Sequence, residues 1–141
     1  MKTDFIKLIE NKRVLFLENG NSYLTDDLND IKKELVYNKI ETCILCYLKK
    51  IPLEVICEYI KEYDVIMFQT TWTSEISQAL LQSIDLFKKP KIVVDVYLSK
   101  EKSYYNPSKI HTWVNLQTSY DRYLPKESDW KFEILNPSKD E

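Results

Sequence analysis

Two apolar runs that do not alternate, joined by one amphipathic stretch, constrain this chain more than any other feature. They lie within Asp64 to Leu98, DVIMFQTTWTSEISQALLQSIDLFKKPKIVVDVYL. Val65-Ile66-Met67-Phe68 and Ile92-Val93-Val94 are continuous apolar segments, the pattern of strands covered on both faces. Between them Ile76, Leu80, Ile84 and Phe87 share one helical stripe, with Ala79 and Ser83 as small neighbours. Pro90 cannot continue that helix and ends it. Strand, helix and strand in this order form a parallel βαβ unit, which sets the class as α/β.

The rest of the chain extends that unit. Phe5, Ile6, Leu8 and Ile9 predict a short leading helix ending near Asn11. Arg13–Glu18, RVLFLE, reads as a first strand, and Asn19-Gly20-Asn21-Ser22 follows it with the only glycine of the protein. Leu24, Leu28, Ile31 and Leu35 then carry a helical stripe, with Asp26 and Asp27 in the first turn and Lys32 and Lys33 later, as the helix dipole favours. Glu41–Tyr47 reads as the second strand. Pro52 opens a helix with the stripe Leu53, Ile56, Cys57 and Ile60, which runs straight into the third strand. After the fourth strand, Ser99–Ile110 is a polar connection without a helical stripe. His111–Gln117 and Trp130–Leu135 read as fifth and sixth strands, the sixth at an edge, with one helical turn over Ser119–Leu124 between them.

The expected fold is a single Rossmann-like three-layer domain over residues 1–141, with a mainly parallel sheet of five to six strands. Right-handed crossovers give it the order 2-1-3-4-5-6. The order reverses between the first and third strands, and open α/β sheets bind ligands outside the carboxyl ends of their strands at such a point. That singles out the loops Glu18–Thr25 and Gln69–Glu75, with Asp95 and Tyr97 beside them on the fourth strand.

Gln69, Thr70, Thr71 and Trp72 precede a helix N-terminus, where free N–H groups and the dipole favour a polar ligand. Thr73 or Ser74 serves as N-cap; the remaining hydroxyls and Trp72 exceed that need, although Trp72 would also be consistent with a core position. Asn19, Gly20 and Asn21 form either a substrate loop, with Gly20 permitting close backbone approach, or a plain turn. The loop is neither a dinucleotide fingerprint nor a P-loop. Glu18 is a candidate general base at a strand end. Asp95 interrupts an apolar strand and must lie near its end or be paired; functional and structural roles both fit.

Composition narrows the classes. With 20 basic and 22 acidic residues interspersed and only two arginines, Arg13 and Arg122, no nucleic-acid footprint is expected. No stretch approaches the roughly 18 apolar residues of a membrane span, and MKTDFIKLIENK lacks a signal-peptide core, so a cytoplasmic protein is expected. Cys43 and Cys46 point to opposite faces of one strand and Cys57 sits on a helix, which predicts reduced packing residues, no metal and no cofactor. His111, the only histidine, is expected to be structural. A receiver domain is excluded because Gln69-Thr70 stands where a phosphoacceptor aspartate is required. A flavin phosphate would meet Glu18, Asp26 and Asp27 in the first loop.

Several segments taken together resemble the N-terminal, acceptor-side domain of GT-B type glycosyltransferases. YDVIMFQTTWTSE, Tyr63–Glu75, resembles its strand, polar loop and helix; KIVVDVYLS, Lys91–Ser99, resembles the next strand with its acidic residue, here Asp95. VNLQTSYDRYLP followed by KFEILNPSKD resembles the closing strand, short helix and strand before a hinge, here Asn136-Pro137. The glycine-rich loop common after the family's first strand is reduced to Gly20. The resemblance implies a sugar-containing acceptor at the switch point and a nucleotide-sugar-binding second domain or chain. It also implies no turnover by this chain alone. In that reading Glu18 or Asp95 orients or deprotonates an acceptor hydroxyl, the amides and hydroxyls bind it, and Trp72 stacks on a sugar face. The alternative is a non-enzymatic protein–protein interaction module using the aromatic C-terminal third: Tyr97, Tyr104, Tyr105, Trp113, Tyr120, Tyr123 and Trp130.

Overall fold

A computed structural model describes residues 4–18, 31–45, 50–68, 83–84, 86–87, 89–97, 112–117 and 131–135. Its sheet has six strands: β1 Val14–Leu17, β2 Thr42–Leu45, β3 Val65–Phe68, β4 Ile92–Tyr97, β5 Thr112–Gln117 and β6 Lys131–Leu135. Their spatial order is β2-β1-β3-β4-β5-β6, the order expected from right-handed crossovers. The first five strands are parallel to one another, and β6 closes the sheet antiparallel to β5.

The non-alternating runs sit where their composition demands. Every residue of β1 and of β3 is buried, because helices cover both faces of the parallel sheet. One apolar layer combines Val14, Phe16, Val65, Met67, Val94, Val96, Val114 and Leu116 with Phe5, Ile6 and Ile9 of helix α1, Asp4–Ile9. It also takes Ile31 and Leu35 from residues 31–37, helix α2. The opposite layer combines Leu15, Leu17, Ile66, Phe68, Val93 and Trp113 with Ile56 and Ile60 of helix α3, Leu53–Glu62, and with Ile84. Trp113 meets Phe68 edge-on, with ring centroids 6.4 Å apart and planes at 85°, a favoured aromatic geometry.

Helix ends are set with little glycine. Lys39 adopts φ 62° just after α2. Its N–H bonds Val36 O at 2.9 Å, and Ile40 N–H bonds Leu35 O at 2.9 Å, the Schellman pattern with a buried Ile40–Leu35 pair. Asn11 takes the same left-handed conformation, φ 64°, after α1, where the sequence predicts that helix to stop. Pro52 occupies the N-cap of α3 and its carbonyl accepts from Val55 and Ile56. Leu53 departs from its expected stripe position. It is 42% exposed, since the first turn of α3 extends beyond the layer that Ile56 and Ile60 fill.

Candidate functional site

The point where the strand order reverses lies between β1 and β3. Pairing puts Leu17 of β1 opposite Leu45 of β2, and Phe68, the last residue of β3, opposite Asp95. β4 runs two residues further, to Tyr97. Asp95 therefore sits inside its own strand yet level with the carboxyl end of β3. Glu18 follows the last residue of β1, and its N–H still bonds Leu45 O at 2.9 Å. The two expected carboxylates thus flank the carboxyl end of β3 from neighbouring strands, two strand spacings apart, roughly 10 Å.

Strand alternation then separates them. Leu15 and Leu17 face the α3 layer while Val14 and Phe16 face the α1/α2 layer, so the next position, Glu18, falls on the α1/α2 side. Val94 and Val96 face the α1/α2 layer and Val93 the other, which puts Asp95 on the α3 side. The two carboxylates thus lie on opposite sides of the sheet. Both are buried, Glu18 at 1% exposure and Asp95 at 0%. Asp95 is engaged by partners, although its Oδ2 atom makes no hydrogen bond; Glu18 is likewise engaged. A charge held this deep is costly unless its surroundings compensate. The arrangement can orient a hydroxyl or accept its proton from either side of β3, but it cannot share one proton between the two acids.

The other expected site residues, Asn19, Gly20, Asn21, Gln69, Thr70, Thr71 and Trp72, lie outside the described residues, as do the capping candidates Thr73 and Ser74, His111 and Cys46. Cys43 and Cys57 are free thiols, each half-buried, and Cys43 packs against the α3-side layer. Trp113, counted with the aromatic surface in the alternative reading, is core. The remaining side chains of that segment lie outside the described residues. Among the described residues no group of three or more His, Cys, Asp or Glu is placed to hold a metal ion. No helix among them is long and apolar enough to cross a membrane.

The opposite end of the sheet carries a charged row that the sequence reading overlooks. Arg13, Glu41, Asp64 and Lys91 each immediately precede one of the first four strands. Arg13 N–H donates to Asp64 Oδ2 at 3.1 Å, Arg13 Nε to Glu41 Oε2 at 2.9 Å, and Arg13 Nη1 to Glu62 O at 2.9 Å. The guanidinium stacks 4.5 Å from the Tyr63 ring centroid. Lys91 is 4% exposed; its Nζ donates to Tyr63 O at 2.8 Å and lies 5.6 Å from the Phe87 ring centroid. Burial, and then Lys89, push the Lys91 ammonium below its ordinary pKa, against the pull of Asp64 and Glu62. Burial raises the Tyr63 phenol, a side-chain hydrogen bond with Cys43 adds to this, and Arg13 opposes it. The signal was available: a charged residue directly before each of four apolar runs.

No protein family, curated protein or solved structure matches this chain.

Proposed function

We propose that this domain binds a sugar-containing acceptor in the crevice at the carboxyl ends of β1, β3 and β4, as the acceptor-side half of a GT-B-like glycosyltransferase. In this reading a nucleotide-sugar-binding second domain or chain completes the transfer site. The observation that carries it is the pair of buried carboxylates, Glu18 and Asp95, on strands that flank the end of β3 at the reversal of strand order. Ligands of open α/β sheets occupy this position, and carboxylates suit acceptor hydroxyls, which donate hydrogen bonds and must lose a proton on transfer. The glycosyltransferase part rests on the sequence resemblance of Tyr63–Glu75 and Lys91–Ser99.

The test is titration of the chain with a panel of aryl glycosides and free oligosaccharides, followed by saturation-transfer NMR, for the wild type, Glu18→Gln and Asp95→Asn. Binding that falls about tenfold or more in both variants, an effect of about 1.4 kcal/mol, supports the crevice. A transfer assay with nucleotide-sugars then shows product only when a donor-binding partner is supplied. Turnover by the chain alone refutes the division into halves, and glycoside binding unchanged in both variants refutes the site.

A further inference from the structure

The two edges of the sheet are chemically unlike. β6 forms one edge and carries Lys131 and Glu133, charges of the kind that discourage pairing with another strand. β2 forms the other edge, and Thr42–Leu45, TCIL, contains no charge and no proline. Its backbone register leaves a defined set of groups facing outward. Val14 N–H bonds Glu41 O and Glu18 N–H bonds Leu45 O, so positions 41, 43 and 45 turn their amides and carbonyls toward β1. Thr42 and Ile44, at alternate positions, turn theirs to the open side.

Apolar side chains gather on the helices that adjoin this edge. Among the described residues, five of the seven large hydrophobic side chains that are exposed belong to α2 and α3, the helices that lead into and out of β2. Val55 and Tyr59 are one turn apart, about 100° round α3 from the Ile56/Ile60 stripe. For a right-handed β2-α3-β3 crossover that flank is the one turned toward β2. On the other face Val36, next to Tyr37, occupies the corresponding flank of α2. From their fractional exposures, the flank residues Val36, Val55 and Tyr59 offer roughly 230 Å² of surface, about half the apolar share of an ordinary contact of about 800 Å² per partner, to which the joined β2 strands add.

We propose that β2 pairs antiparallel with β2 of a second copy of this chain, across a two-fold axis at Cys43, giving one continuous twelve-stranded sheet. The self-complementary edge commits the surface to a second copy. Thr42 of each protomer meets Ile44 of the other, all four outward N–H and C=O groups are satisfied, and the two-fold closes the assembly as a dimer. Pairing β2 with β6 instead would bring in the charged edge and leave an open filament. The α2 and α3 flanks then meet their symmetry mates above and below the joined strands.

Sedimentation velocity over a dilution series, with amide hydrogen exchange, tests this. The expected result is a dimer in which the Thr42 and Ile44 amides exchange slowly and speed up on dilution. The double variant Val55→Lys/Tyr59→Lys, confined to exposed positions, raises the dissociation constant at least about tenfold with an unchanged circular dichroism spectrum. Thr42→Pro, which removes an outward N–H without touching the β1 ladder, does the same. A monomer at every concentration reached overturns the proposal. So does a dimer that the double variant leaves intact and in which the Thr42 and Ile44 amides exchange rapidly.

Discussion

The two ends of the same sheet solve the problem of charge in different ways. At the amino ends, Arg13, Glu41, Asp64 and Lys91 lie in one row on neighbouring strands. They are held by short hydrogen bonds to each other and to the backbone at Glu62 and Tyr63. At the carboxyl ends, Glu18 and Asp95 are both acidic, both buried, and set on opposite sides of the sheet with β3 between them. Alternating signs on adjacent strands relieve one another. The two acids at the carboxyl end instead stay on separate faces of the sheet. Substitutions at each end measure the difference.

Reversing the buried charge of the amino-end row has the largest effect. Lys91→Glu puts a buried carboxylate near Asp64 and Glu62 and opposite the Tyr63 carbonyl, and an unpaired charge buried there costs several kcal/mol; urea midpoints report it. Asp64→Ala comes next. It strands the part-buried Arg13 N–H and removes about 1–3 kcal/mol. Asp95→Asn at the other end changes stability by less, within about 1 kcal/mol in either direction, because it replaces a buried carboxyl group by an amide of the same shape. A loss as large as that of Asp64→Ala would give Asp95 a structural task and erase the contrast.

Alkaline pH sharpens the description of the amino end. The folded pKa of Lys91 is below its ordinary 10.5, so the folded protein releases this proton first. The Lys91 contribution to stability is present above 10.5 and is lost as pH falls through the lowered folded value. Tyr63 is raised above 10.0, so its contribution is present below 10.0 and lost as pH rises through the folded value. Urea midpoints therefore gain from Lys91 on approaching pH 10 and lose to Tyr63 above it. Lys91→Met removes the rise and Tyr63→Phe removes the later fall. The smallest effect belongs to the Arg13–Glu41 pair, whose side chains are 42% and 65% exposed. Glu41→Gln lowers the urea midpoint slightly in dilute buffer and not at all in high salt, where exposed pairs are screened.

Much of the architecture was legible because covered parallel strands leave a pattern no other element does. VLFL, VIMF and IVV could not alternate if helices covered both faces, and the switch point followed from right-handed connections alone. Helix stripes were legible where they reach the core, at Ile56 and Ile60, and less so at Leu53, since periodicity does not tell how far a helix overhangs its sheet. Glu18 and Asp95 stood out as acids at the ends of apolar runs. Their burial, and their placement on opposite sides of the sheet, required the pairing register, because which face a residue takes depends on parity counted across strands. Trp113 shows the same limit in reverse: an aromatic residue between Thr112 and Val114 suits a surface as well as a core until Phe68 is seen against its ring.

Sequence alone determined that a charged residue stands directly before each of the first four strands: Arg13, Glu41, Asp64 and Lys91. Along the chain these read plus, minus, minus, plus, which places two acids in succession and suggests no mutual support. Only the tertiary structure decides that they are neighbours in the order Glu41, Arg13, Asp64, Lys91, where every adjacent pair is opposite in sign. The reason is the crossover that inserts β1 between β2 and β3. It moves Arg13 between two carboxylates that the chain itself lists consecutively, and converts a like-charge pair into an alternating row.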